Sequence, residues 1–208
     1  MIGISAYKDA ATRAWSVTQD LPLASNDRTR LSAGLLQLAQ EHHASIVILI
    51  QHQQYGSAFA LLRPLYEAYV RGVWLARIAS EREFSRYQRD ENFSLKDLAS
   101  KVSVLPTFDG TNFADLAGRT LNAMHSYTHN GYLASVRRQS PDAIEPAYEV
   151  AEIREVLEVT QVLGVLATAE ILDIAKTPDL GRIDELKNLV GSLTKSCSGC
   201  EKQTGGLQ

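Results

Sequence analysis

The sequence has only two cysteines among its 208 residues, Cys197 and Cys200, and both lie close to its last residue. Two thiols at this spacing supply at most half of a zinc site, and a redox pair is normally presented at the start of a helix that follows a strand. Neither context surrounds these two residues. We therefore expect reduced thiols without a role, in a flexible tail that covers residues 197–208.

Long apolar runs are also missing. The two longest, residues 44–50 and 162–169, are too short to span a bilayer, and residues 1–20 lack the basic and apolar regions of a secretion signal. The composition, with 45% apolar and 22% charged residues, is that of an ordinary soluble globular protein. The sequence therefore predicts a cytoplasmic protein without a membrane partner.

The sequence has no strong excess of one charge. Its net charge of -3 gives no overall attraction to nucleic acid or to an anionic membrane. It also lacks a Gly-rich phosphate loop, a GxSxG nucleophile elbow and a nucleotide-binding βαβ pattern. These absences disfavour the common kinase, hydrolase and dehydrogenase classes, and we expect no cofactor.

Helical periodicity dominates the sequence, and no alternating pattern indicates a sheet. We predict an all-α protein, an antiparallel bundle of about six to seven helices in a single domain that covers residues 1–196. We expect Asn26 or Asp27 to cap the second helix and Ser57 to cap the third. The predicted helices cover residues 5–19, 26–53, 58–79, 80–102 with an interruption near 92–94, 112–129, 148–175 and 179–196.

The fifth predicted helix carries a polar stripe. At 100° per residue, its polar side chains fall within one sector about 120° wide. The stripe consists of arginine, asparagine, serine and histidine, which suit specific hydrogen bonding, where a solvated face usually mixes lysine and glutamate. The pattern leaves open a functional stripe and a solvated face. Its candidate site residues are Arg119, Asn122, His125 and His129.

The third predicted helix carries a charged ladder on an otherwise apolar sequence. Arg63, Glu67 and Arg71 recur at every fourth position, so they lie on one face. Because so little of this helix is polar, we expect it to be largely buried, and a buried glutamate needs cationic partners. The pattern favours a structural polar network over a site.

Two further groups could bind ligands. Arg137 and Arg138 follow the polar helix and could clamp a phosphate, because guanidinium groups present paired donors to phosphate oxygens. His125 and His129 have a spacing that suits a metal, with a third ligand from Glu67 or Glu41, but the HExxH motif is absent. Metal-assisted hydrolysis is thus an alternative, and our principal interpretation includes no metal.

The segments SAFALLRPLYEAYVRGVWL and RTLNAMHSYTHNG together resemble uncharacterised bacterial families in or near the HEPN-like superfamily (higher eukaryotes and prokaryotes nucleotide-binding). The resemblance implies a dimeric antiparallel helical bundle and a metal-independent ribonuclease of a toxin or antiphage system. The signature of that superfamily is an arginine followed after four to six residues by a histidine. Arg119 and His125 match it, with TLNAM between them.

The chemistry implied by this resemblance is attack of an RNA 2'-hydroxyl on the adjacent phosphate. His125 would act as general base or acid, Arg119 would stabilise the charge on the phosphoryl oxygens, and Asn122 would orient the histidine or the substrate. His129 would supply a second proton-transfer group. The implied partners are RNA, a second copy of the chain and an antitoxin-type protein. The alternative from a different class is a non-enzymatic helical interaction or regulatory module.

Overall fold

A computed structural model of the chain describes residues 3–108, 123–175 and 179–198, with side chains up to residue 191. Every regular element within these ranges is helical, which confirms the predicted all-α class. The helices are α1 (Ile4–Thr18), α2 (Asp27–Gln51), α3 (Tyr55–Arg77), α4 (Glu81–Gln88), α5 (Leu95–Ser103), α6 (described over residues 123–128), α7 (Tyr132–Val136), α8 (Val150–Ala175) and α9 (Leu180–Ser198). A 3-10 turn, Pro106–Phe108, follows α5.

Short polar side chains cap several of these helices. As predicted, Asn26 caps α2, where its side chain accepts a hydrogen bond of 2.8 Å from the N–H of Thr29. Ser80 and Glu83 form a reciprocal capping box at the start of α4. Ser94 accepts from the N–H of Asp97 and starts α5. These caps satisfy N–H groups that have no partner within the helix.

One predicted interruption is confirmed, and one predicted cap is wrong. The expected helix over residues 80–102 breaks near residues 92–94 into two helices, because Asp90 adopts a left-handed φ of 58° and Ser94 starts a new helix. Ser57 does not cap α3, which begins three residues earlier than predicted. Gln53 has a left-handed φ of 59°, and the N–H of Gln54 donates to the carbonyl of Leu49, so the reversal between α2 and α3 is complete before residue 55.

Helix α3 packs against α2 and is largely buried. A Cβ on Gly72 of α3 would lie 2.7 Å from the side chain of Leu36 on α2, so glycine allows the two helices to approach closely. Trp74, also on α3, is fully buried. This helix provides the main apolar surface on which α2, α5 and α8 pack.

A buried polar seam joins α1, α2 and α8. The side chain of Gln40 accepts a hydrogen bond of 2.9 Å from Thr18 and donates one of 2.8 Å to Thr168. One turn along the seam, His43 is fully buried against Gly164, where a Cβ would lie 2.0 Å from Nδ1 of the imidazole. Buried polar groups that bond to one another, as Gln40 does to Thr18 and Thr168, fix the register between helices. Both ring nitrogens of His43 are buried without a hydrogen-bond partner among the described residues.

Two arginines satisfy carbonyl groups at the ends of other helices. Arg28 of α2 donates to the carbonyl oxygens of Leu75 (3.0 Å) and Ala79 (2.6 Å) at the end of α3. Arg182 of α9 donates to those of Val17 (2.6 Å) and Gln19 (2.9 Å) at the end of α1. The positive charge of each guanidinium also interacts favourably with the negative end of the helix dipole, that of α3 for Arg28 and that of α1 for Arg182.

The structure also differs from the predicted helix bounds near α7 and at the end of α9. The predicted helices leave a gap between residues 129 and 148, but α7 lies within this gap. Helix α9 continues to Ser198, two residues beyond its predicted end, so the backbone at Cys197 belongs to this helix rather than to a tail. Cys200 lies outside the described residues. In the described part of the chain, no helix is both long and apolar enough to cross a membrane.

Candidate functional site

The two histidines of the predicted stripe lie side by side on the surface. His125 belongs to α6 and His129 follows its last turn; both are exposed, and their ring centroids are 4.4 Å apart. The i, i+4 spacing places the rings together, as the sequence predicted. Arg119 and Asn122, the other two candidates of the stripe, lie outside the described residues.

The end of α6 has the left-handed cap that an asparagine–glycine pair, here Asn130 and Gly131, predicts. Asn130 adopts a φ of 54°, and the N–H of Gly131 donates to the carbonyl of Ser126 over 2.7 Å. The hydroxyl of Ser126 then accepts from the N–H of Leu133 over 3.1 Å. A Cβ on Gly131 would lie 2.7 Å from this hydroxyl, so glycine makes the tight turn into α7 possible.

A proline on α3 helps to position α6. Pro64 has no N–H, so it cannot donate a helical hydrogen bond to the carbonyl of Ala60. The hydroxyl of Thr128 lies 3.1 Å from this oxygen and 2.8 Å from the carbonyl oxygen of Met124 in its own helix. The contact turns the Thr128 face of α6 toward α3 and leaves His125 and His129 on the outer side.

The inner side of α6 borders a cleft of about 220 Å³ between α3, α7 and α8. Apolar side chains from all four helices form most of its surface, and four polar side chains lie among them. His125 and His129 do not line it. The lining residues include Phe59, Leu62, Met124, Leu133, Val156 and Val159, with Tyr127, Arg137, Glu152 and Glu155 as the polar members.

Arg137 lies in this cleft and is held by protein groups. Its Nη2 forms an ion pair with a carboxylate oxygen of Glu152, whose other oxygen accepts a hydrogen bond of 3.0 Å from the N–H of Glu149. A hydrogen bond with Tyr127 and the charge of Glu152 raise the pKa of the Arg137 guanidinium. Arg138, the second arginine predicted to bind phosphate, is exposed.

The charged ladder of α3 forms in part. Arg71 donates to one carboxylate oxygen of Glu67 through Nε (2.9 Å) and Nη2 (2.7 Å). Both side chains are partly buried. In the ranges that the structure describes, no ion pair joins Arg63 to Glu67. The geometry thus brings two of the three predicted network residues together.

No third metal ligand accompanies the histidine pair in the described ranges. They contain no group of three or more histidine, cysteine, aspartate or glutamate residues arranged to hold a metal ion. A catalytic zinc site normally uses three protein ligands. Within the described residues, neither Glu41 nor Glu67 joins the two histidines in such a group.

A family model matches residues 36–189, which is most of the 208-residue chain, and its description is a family of unknown function, DUF6988. The chain belongs to the DUF6988 family. No curated protein and no solved structure matches the chain. The DUF6988 match contains the cleft, the histidine pair and Gly164, whereas it leaves out α1 and the first turns of α2.

Sequence reasoning missed several residues within the DUF6988 match. Gln40, His43 and Glu152 are not among the candidate residues that the sequence indicated. One signal could have indicated the buried seam: Thr160, Gly164 and Thr168 place small residues at every fourth position of the apolar helix α8. Small residues at this spacing are typical of a close contact with another helix.

Proposed function

We propose that this chain is a metal-independent endoribonuclease of a toxin or antiphage type, with its helices arranged as an antiparallel HEPN-like bundle. The observation that carries the proposal is the exposed pair of His125 and His129, with ring centroids 4.4 Å apart. A general acid and a general base must both reach the substrate, and histidine is the side chain that titrates nearest to neutral pH. His125 meets this need, in contrast to the fully buried His43.

In the proposed reaction, one histidine accepts the proton of an RNA 2'-hydroxyl, whose oxygen attacks the adjacent phosphorus. The bond from phosphorus to the 5'-oxygen breaks, and the other histidine gives this oxygen a proton. The products are a 2',3'-cyclic phosphate and a 5'-hydroxyl. Arg119 stabilises the charge on the phosphoryl oxygens, and Asn122 orients His125 or the substrate.

Arg137 and Arg138, which follow α6, differ in their availability to bind phosphate. Arg138 is exposed near the end of the histidine helix, so its guanidinium is available to a phosphate of the RNA backbone. Arg137 already pairs with Glu152 in the cleft, so its contribution to phosphate binding requires that this ion pair be exchanged. We therefore assign phosphate binding mainly to Arg138.

The experiment is incubation of mixed RNA with the protein, with and without EDTA. We expect cleavage that EDTA does not affect and that His125→Ala, His129→Ala and Arg119→Ala each abolish. His52→Ala is the matched control, because His52 is an exposed histidine at the end of α2. Because His125 is exposed, His125→Ala should change the free energy of unfolding by no more than about 0.5 kcal/mol.

Three outcomes would contradict the proposal. Cleavage that EDTA abolishes would favour metal-assisted hydrolysis through His125 and His129. Equal cleavage by the wild type and His125→Ala would show that these histidines are not catalytic. Absence of cleavage by the folded wild type would favour the non-enzymatic interaction or regulatory module.

The proposal includes a cytoplasmic homodimer that binds RNA and an antitoxin-type protein partner. Two leucines of α2 support the dimer, since Leu31 and Leu38 lie seven residues apart and are each 39% exposed. We expect sedimentation at micromolar concentration to give a dimer, and Leu38→Glu to weaken it more than Val190→Glu, a change at an exposed valine of α9. A wild-type monomer would contradict this part.

A further inference from the structure

We propose that the cleft between α6 and α8 is a binding site for a small organic cation with an apolar body, such as an alkylammonium ion. This inference does not rest on ribonuclease activity, because the cleft lies on the inner side of α6 and the histidine pair lies on the outer side. It rests on the shape of the cleft and on the balance of charge around it.

The cleft has the size and the walls of a site for a small apolar group. Its volume is about 220 Å³, and Phe59, Met124 and Val156 on its walls are each buried. An apolar cavity of about 150 Å³ is sufficient to bind benzene. The cleft therefore accommodates a ring or a chain of about six carbon atoms, with space for one polar group at the rim.

The ion pair in the cleft leaves no net positive charge there. Arg137 pairs with one oxygen of Glu152, and the second oxygen of Glu152 accepts the N–H of Glu149. The two charges cancel, and Nη2 of Arg137 is occupied by Glu152, while Nε of Arg137 is buried from solvent without a hydrogen-bond partner among the described residues. An anionic ligand would have to displace Glu152 in order to use Arg137.

Glu155 provides the charge that selects the ligand. It lies about one turn beyond Glu152 on α8, lines the cleft and is exposed. Among the residues that the structure describes, no cation forms an ion pair with its carboxylate. Counted over the described residues, the rim therefore carries one unpaired negative charge beside an apolar cleft. This combination attracts an ammonium group and repels a carboxylate.

Three probes of equal chain length test the proposal: hexylammonium, hexanol and hexanoate, titrated into the full-length protein and followed by NMR and calorimetry. We expect hexylammonium to bind about fivefold more tightly than hexanoate, with hexanol between them. Glu155→Gln should reduce this preference to less than about twofold. Glu158→Gln is the matched control, because Glu158 is on the same helix and does not line the cleft.

Val159→Phe should fill the cleft and abolish binding of all three probes. If this variant does not fold, the comparison of Glu155→Gln with Glu158→Gln still tests whether Glu155 sets the preference for hexylammonium. Hexanoate binding as tightly as hexylammonium would overturn the proposal, as would an unchanged preference in Glu155→Gln. Absence of binding of every probe at millimolar concentration to the folded wild type would also overturn it.

Discussion

The hydroxyl of Thr128 lies 3.1 Å from the carbonyl oxygen of Ala60, the acceptor that Pro64 leaves without its helical donor. A side chain from α6 thus offers a donor to this carbonyl of α3, and its one hydroxyl proton is shared with the carbonyl of Met124 in its own helix. An unpaired carbonyl in a partly buried position costs free energy comparable to a lost hydrogen bond. The contact therefore couples the position of α6 to one residue of α3.

A double-mutant cycle tests this coupling. Thr128→Val keeps the shape of the side chain and removes its donor, so it should lower the free energy of unfolding by about 1 to 3 kcal/mol. Pro64→Ala restores an N–H that can donate to Ala60, so the penalty of Thr128→Val should be smaller in that background. Urea unfolding of the four proteins measures the difference. Equal penalties in both backgrounds would show that the carbonyl of Ala60 is not the shared partner.

Gly164→Ala should severely destabilise the fold. The new Cβ would lie 2.0 Å from Nδ1 and 2.7 Å from Cγ of the His43 ring, which is fully buried and has little space to move. We expect a loss of about 3 kcal/mol or more. Gly34→Ala is the control, because a Cβ there meets nothing within 4 Å and should stabilise α2 by about 0.5 to 1 kcal/mol. Similar effects of the two changes would contradict the close contact at Gly164.

The stability of the fold should depend on pH through His43. Burial lowers the pKa of this imidazole to about 4, whereas an unfolded histidine titrates near 6.5. Between these values the unfolded chain binds a proton that the native protein excludes, so the free energy of unfolding falls as the pH decreases from 6.5 to 4. The total is about 3 kcal/mol.

A comparison of the wild type with His43→Leu isolates this effect. Burial also lowers the pKa of His42, which contributes with the same sign in both proteins. Chemical unfolding at several pH values should therefore show a shallower decrease for the variant. Parallel curves from pH 6.5 to 4 would mean that His43 does not titrate differently in the two states.

Arg28→Gln should destabilise the end of α3. The change removes a charged donor from the carbonyl oxygens of Leu75 and Ala79 and an ion pair with Glu81. Because hydrogen bonds from a charged group are stronger than neutral ones, we expect a loss of about 1 to 3 kcal/mol in thermal or urea unfolding. Arg30→Gln, at an exposed arginine of the same helix, should have little effect. A comparable loss in Arg30→Gln would argue against a specific role for Arg28.

The features that the sequence predicted correctly depend on residues close together in the chain. Asn26 caps α2 because its side chain needs only the N–H three residues ahead, and Asn130 ends α6 because asparagine tolerates a left-handed φ. The pairing of His125 with His129 also follows from helix geometry alone. In each of these cases, the spacing of residues within one helix was sufficient to predict the feature.

The features that the sequence did not reveal depend on contacts between distant segments. Arg137 and Arg138 are equivalent in the sequence, yet only Arg137 meets Glu152, because α7 returns the chain toward α8. Pro64 predicts a missing hydrogen bond but not the partner that replaces it. The place of His43 in the core depends on Gly164, which lies more than one hundred residues later.

The contact of Arg182 with the end of α1 has a consequence for motion within the native protein. It joins the first and last helices of the described chain, and Leu189 of α9 packs with Ala14 of α1 and Val165 of α8 in a small apolar cluster apart from the main core. Elements that share few contacts with a core open as cooperative units of lower stability. Amide hydrogens of α9 should therefore exchange with deuterium at a lower free energy of opening than those of α2, α3 and α8.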